Sequence, residues 1–217
     1  MTDFPTDGVV YLVTQADASA GRSTVEIVEA AIEGGVDVVQ LREKDSPASD
    51  RYELGRELRE LTADAGVPLI VNDRIDLASA IDADGVHLGD EDLPIAVARE
   101  QLGPDVIVGR SVATPEAAVA AEEAGADYLG VGAIYPTDSK EKPPEESDLG
   151  AEGIAAVREA VSIPIVGIGG VTSDNAADVT AAGAAGVAVI TAITQADDPA
   201  AATRDLGDAV AQGVRAR

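Results

Sequence analysis

The feature that most constrains this chain is an alternation that runs from one end to the other. A short apolar run of strand length is followed by a helical pattern, eight times over, and most of those patterns are closed by glycine or proline. The runs are Val9–Thr14, Val36–Leu41, Pro68–Val71, Gly85–Leu88, Val106–Gly109, Tyr128–Ile134, Ile163–Ile168 and Val187–Ile190. Between them the helical stretches carry start and stop signals: Ser23 to Glu33 before Gly34-Gly35, Ser46-Pro47 to Gly66, and Thr114-Pro115-Glu116 to Gly125. The last helix is expected over Pro199–Gln212.

Strands that read as continuous Val, Ile and Leu, rather than as alternations, are buried on both faces and parallel. Eight such units in 217 residues predict a single-domain α/β chain spanning 1–217, folded as a (β/α)8 or TIM barrel. The rival, an open doubly wound sheet, would carry its glycine fingerprint after the first strand, where this chain has Gln15-Ala16-Asp17.

In a barrel the chemistry sits where strands end, and phosphate is held after strands seven and eight. Here the seventh run passes into Gly169-Gly170 and then Thr172-Ser173-Asp174-Asn175, a strand-to-helix turn with bare backbone amides that would suit an anion. The plain alternative is a turn that needs glycine only for its dihedrals. Arg42 and Lys44 lie two apart at the end of strand two and can point the same way. A solvated Arg-Glu-Lys is the ordinary reading of that segment. Yet the chain has only three lysines, and Lys44 and Lys140 both fall on the functional face.

Asp73 and Asp92 close the two neighbouring strands, with Asp90 and Glu91 nearby, although Asp92 before Leu93-Pro94 also suits a helix cap. Hard oxygen ligands, few in number and beside cations, suit magnesium on a phosphorylated substrate. The chain has no cysteine and a single histidine, His87, so zinc has no ligand cluster. His87 reads as a packed or supporting group rather than a base. Arg42, Lys44, Lys140 and a divalent cation, less two aspartates, leave about three positive charges, which matches a diphosphate better than a monophosphate.

Charge narrows the partners. Forty acidic residues against fifteen basic ones give a net charge of −25, which disfavours nucleic acid and anionic membranes. Such a surface on a chain that is 46% hydrophobic suits a salt-rich cytoplasm, where screening relieves self-repulsion. No leader or membrane span is read, and a homo-oligomer is left open.

Six segments together resemble the thiamine-phosphate synthase family: Gln40-Leu41-Arg42-Glu43-Lys44, Val71-Asn72-Asp73, His87-Leu88-Gly89 with Asp92, Gly109-Arg110-Ser111, Thr137-Asp138-Ser139-Lys140 and Val166-Gly167-Ile168-Gly169-Gly170. The resemblance implies a (β/α)8 barrel transferase that joins hydroxymethylpyrimidine diphosphate to a thiazole phosphate and releases diphosphate. It implies that Gln40, Arg42, Lys44, Asn72, Ser111 and Lys140 bind the pyrimidine diphosphate, with Arg42, Lys44, Ser111 and Lys140 serving catalysis. It implies magnesium on Asp73 and Asp92, and Thr137, Ser139, Gly170, Ile190 and Thr191 around the thiazole phosphate. Leu41, Glu43 and Asp138 fall inside the same binding segments. Asp90 and Thr191 stand where the family commonly has glutamine and serine, so the choice of acid at that turn stays open. A thiazole tautomerase-like barrel and a non-catalytic phosphate-binding barrel are the alternatives. The connection from Tyr135 to Gly150, long and proline-bearing, reads either as a lid over the site or as a plain acidic loop.

Overall fold

Every apolar run becomes a strand, and the strands pair in chain order. A computed structural model describes residues 4–137 and 148–217. Its strands are β1 (Val9–Val13), β2 (Val38–Leu41), β3 (Leu69–Asn72), β4 (Gly85–Leu88), β5 (Ile107–Val112), β6 (Tyr128–Val131), β7 (Ile165–Ile168) and β8 (Gly186–Val189). All pairs are parallel, and β1 pairs with β8 to close the barrel. The helices outside it are α1 (Thr24–Glu33), α2 (Ala48–Ala65), α3 (Ile75–Ala80), α4 (Ile95–Leu102), α5 (Pro115–Glu123), α6 (Gly150–Ala160), α7 (Ala176–Ala181), α8 (Thr191–Thr194) and α9 (Pro199–Val214).

Local signals explain the starts. Ser23 and Glu26 form a reciprocal capping box at α1, and Thr114 and Asp198 cap α5 and α9 with a proline at the next position. Two boundaries differ from the sequence expectation in ways that matter below. β5 runs past Gly109 to Val112, so Arg110 and Ser111 are strand residues, paired with Leu129 and Gly130 of β6. The short helix α8, directly after β8, was not anticipated; its four residues are too few to leave a periodic signature.

A repeated device sets the amino-terminal ends of the strands. Asp37, Asp84 and Asp127 each precede an even-numbered strand, and each accepts a hydrogen bond from an amide at the start of the preceding odd strand. The donors are Val10, Leu69 and Val108, at 2.8, 2.9 and 2.6 Å. Arg59 of α2 and Arg99 of α4 pair with the second and third of these carboxylates. Burial raises the pKa of Asp37, and the Val10 amide partly offsets that rise. These carboxylates align adjacent strands at the end of the barrel away from the polar strand ends.

Apolar side chains fill two layers, one between barrel and helices and one inside the barrel. The inner layer holds three of the chain's five aromatic rings. Phe4 enters from the amino-terminal end and stacks flat on Tyr128 at 3.9 Å, and Tyr11 tilts against both. Room for Tyr128 comes from Gly109 on the neighbouring strand, where a Cβ would lie 2.2 Å from the ring's Cζ.

Candidate active site

A cavity of about 680 Å³ opens at the carboxyl ends of the strands, within the usual range for a small-molecule site. Of the residues singled out from the sequence, Gln40, Arg42, Asn72, Ser111, Thr137, Gly170, Ile190 and Thr191 line it. Leu41, Glu43, Lys44, Asp73 and Asp92 do not. Leu41 points outward into the layer beneath the helices. Glu43 is buried, and its carboxylate accepts hydrogen bonds from the Ala16 amide at 2.8 Å and the Thr24 hydroxyl at 3.1 Å. It ties the loop after β2 to the turn after β1. The segment Asp138-Ser139-Lys140, and with it most of the connection read as a lid, lies outside the described residues.

The strand ends after β2 to β4 carry a charged group, of which Arg42 lines the cavity. Arg42 leans on Gln15, donating from Nη1 to the side-chain oxygen at 3.1 Å, and its own amide donates to Thr14 Oγ1. Lys44 pairs with Asp73 at 2.8 Å. Asp73 adopts a left-handed backbone at φ 64°, which an aspartate tolerates better than most residues, and its amide donates to the His87 carbonyl. Asp92 accepts from the Gly89 amide at 2.6 Å and has the carboxyl of Asp73 as a hydrogen-bonding neighbour. Burial first, and then the negative charge of Asp73, raise the pKa of Asp92. Asp90 turns away to Arg110 at 3.1 Å and is exposed, so the acid facing Asp73 is Asp92.

The opposite side is neutral backbone. Gly169 and Gly170 hold positive φ angles of 100° and 63°, and a Cβ on Gly170 would sit 2.6 Å from the Pro136 carbonyl. Asn175, expected as a capping type, clamps this loop instead. Its side chain accepts from the Thr172 amide at 2.9 Å and donates to the Gly170 carbonyl at 3.1 Å.

Between the two sides runs a chain of polar groups that the sequence did not reveal. Gln40 Nε2 donates to the Tyr11 hydroxyl at 2.8 Å, and the Tyr11 and Tyr128 hydroxyls lie 2.9 Å apart. The Tyr128 hydroxyl meets His87 Nδ1 at 2.9 Å, and His87 Nε2 meets Ser111 Oγ at 2.9 Å. Burial pushes the pKa of both tyrosines up, so both keep their protons. His87 is therefore a bridging group, as its setting between apolar residues suggested. The signal that could have found the tyrosines was their scarcity: the chain has four, and two of them fall within strand runs.

Closed barrel, a cavity at the strand carboxyl ends and carboxylates beside cations together define a (β/α)8 barrel enzyme acting on small molecules. Residues 10–193 match the family model described as thiamine monophosphate synthase. The thiamine-phosphate synthase of Natronomonas pharaonis is 73% identical over 201 residues, covering 93% of this chain and 94% of that one. That of Moorella thermoacetica is 54% identical, covering 93% and 95%. A solved thiamine phosphate pyrophosphorylase from Pyrococcus furiosus superposes with a TM-score of 0.86 at 42% identity, covering 95% and 96%. The chain belongs to the thiamine monophosphate synthase family, and it is a transferase that forms thiamine phosphate.

Proposed function

We propose that the charged side of the cavity receives 4-amino-2-methyl-5-hydroxymethylpyrimidine diphosphate, and that the glycine side receives the phosphate of the thiazole partner. One observation carries this reading. The Arg42, Lys44, Asp73 and Asp92 group follows β2 to β4 and the Gly169-Gly170 loop and Ile190-Thr191 follow β7 and β8, so both stand at the carboxyl ends of the strands, and Arg42 lines the same cavity as the glycine loop. The reaction breaks the bond between the pyrimidine methylene carbon and the diphosphate oxygen, which keeps the electron pair. The thiazole nitrogen then supplies the pair for the new carbon–nitrogen bond. No strong base is needed, which accords with a lone histidine committed to bridging.

The residues present fit magnesium. Asp73 and Asp92 crowd each other, and a divalent cation would relieve the repulsion that raises Asp92. Among the described residues no group of three acidic or histidine ligands occurs. Magnesium takes one or two carboxylates and completes its shell with substrate oxygens and water. When bound, it would neutralise charge on the departing diphosphate. Arg42 and Lys44 would orient the diphosphate, Asn72 and Ser111 would hold the pyrimidine half, and Thr137 with Thr191 would meet the thiazole phosphate. Lys140, Asp138 and Ser139 stay assigned by resemblance.

We also infer work in a salt-rich cytoplasm. The acidic composition supports this, as do relatives of 62% and 64% identity in Haloquadratum walsbyi and Haloarcula marismortui. No helix among the described residues is long and apolar enough to cross a membrane. Diphosphate release is the test. It should require both substrates and a divalent cation, and it should fall by orders of magnitude in Asp73→Asn. Release without the thiazole phosphate, at the full rate, would refute the assignment.

A further inference from the structure

The polar chain across the cavity floor has a direction, and elimination fixes it. An amide nitrogen cannot accept, so the Tyr11 oxygen accepts from Gln40. Among the described residues the Tyr11 hydroxyl has one other partner, Tyr128, so its own proton points there. Tyr128, having accepted, donates to His87 Nδ1. The ring proton of His87 is then on Nε2 and is donated to Ser111 Oγ. Each end is left with one fixed character toward the cavity. Gln40 offers its carbonyl oxygen as an acceptor, and Ser111 offers its hydroxyl proton as a donor.

We propose that Tyr11, Tyr128 and His87 are positioning residues that select the substrate ring by fixing these two characters together. The proposal rests on the pyrimidine assignment above and deepens it. A 4-aminopyrimidine carries an amino donor and a ring-nitrogen acceptor, which complement Gln40 and Ser111. The 4-oxo analogue has the same outline but presents an acceptor and a ring N–H in their place, so it is mismatched at both ends. The chain can also exist in the opposite sense, but only if the Gln40 amide flips, both hydroxyls rotate and the His87 proton moves to Nδ1. No single member can adapt alone. A site whose buried polar groups are left unpaired by the wrong ring rejects it strongly.

The single histidine makes the chain's sense directly readable. Nitrogen-15 spectra of the ligand-free protein at neutral pH should show the His87 proton on Nε2. Tyr128→Phe removes one hydroxyl and leaves the ring stacked on Phe4, cutting the chain in the middle. It should populate both His87 tautomers and should lower the kcat/KM preference for the amino over the oxo diphosphate at least tenfold. Tyr11→Phe cuts nearer Gln40. It should weaken the preference and also let both His87 tautomers populate, because Tyr128 no longer accepts from Tyr11 and is free to accept from Nδ1. A His87 proton on Nδ1 in the parent would overturn the proposal. So would an unchanged tautomer and preference in Tyr128→Phe, or equal loss on both rings with a lowered Tm, which would mark a purely structural role. If the parent forms no product from the aminopyrimidine diphosphate, the reaction assignment and the ring selection fall together, while the tautomer still reports the chain's sense.

Discussion

Adding one methyl group to glycine should move stability in opposite directions at two positions, and the difference tests how the barrel floor is packed. On Gly109, a Cβ would lie 2.2 Å from Tyr128 Cζ and 2.4 Å from both Cε1 and the hydroxyl oxygen. Ordinary contact begins at 3.4 Å, so the ring would have to retreat by about 1 Å within a close-packed interior. Phe4 covers one face of that ring, and hydrogen bonds hold its hydroxyl toward Tyr11 and His87. Overpacking of this kind costs about 1–3 kcal/mol, and a ring pinned on several sides belongs at the upper end. For a chain of this size, about 3 kcal/mol lowers Tm by roughly 6–12 °C. On Gly207 of α9, the nearest atom to an added Cβ is Val10 Cγ2 at 3.8 Å, and the backbone is already helical. There the methyl only removes freedom from the unfolded chain, for a gain of about 0.5–1 kcal/mol and a Tm higher by roughly 1–4 °C. Calorimetry on Gly109→Ala and Gly207→Ala under identical salt conditions measures the difference. If the two variants shift the same way, or Gly109→Ala melts within about 2 °C of the parent, Tyr128 does not stand where the packing argument needs it.

Other outcomes follow from the site and the surface. Asp92→Asn should cut turnover by orders of magnitude, whereas Asp90→Asn, whose parent carboxylate faces Arg110, should do far less; steady-state rates with saturating magnesium compare them. In chelated buffer Asp92→Asn should also raise Tm at neutral pH. A carboxyl whose native pKa lies above its unfolded value near 3.9 contributes most below that value, and the contribution is lost as pH rises through the native one, so the gain should vanish near pH 3. Glu43→Ala should destabilise the chain by about 2–3 kcal/mol in urea melts, because the Ala16 amide and the Thr24 hydroxyl lose a charged acceptor. Tm should rise from dilute buffer to molar KCl, as expected for a net charge of −25; a flat or falling series would remove the halophilic reading.

Much of the fold could be read from the sequence because the signals were local. Gly66 and Gly125 stop helices where the chain must turn left-handed, and Ser23 with Glu26 announces the start of α1. The charged group proposed for the substrate was chosen on the same kind of local signal: Arg42, Lys44, Asp73 and Asp92 come within a few residues of strand ends. What could not be read was which way each strand residue faces. Strands buried on both sides show no alternation, so nothing local separates Tyr11, which points inward, from Leu12, which points toward the helices. Only the closed register, with His87 beside Gly109 and Gly109 beside Tyr128, brings the floor together. The same blindness put Leu41 and Glu43 among the binding residues. The aspartates before β2, β4 and β6 were visible as a recurrence, but their role depends on strand neighbours that sequence order alone does not supply.

The concentration of aromatic rings on the barrel floor has a practical consequence for optical work. The chain has no tryptophan, one phenylalanine and four tyrosines, and Phe4, Tyr11 and Tyr128 meet beneath the cavity. Its near-ultraviolet circular dichroism therefore draws a large share from the floor of the site, with Tyr52 and Tyr135, half-buried against the outer layer, as the other contributors. In an unlabelled sample, loosening of this cluster would be seen in the aromatic band while the far-ultraviolet helical signal held steady.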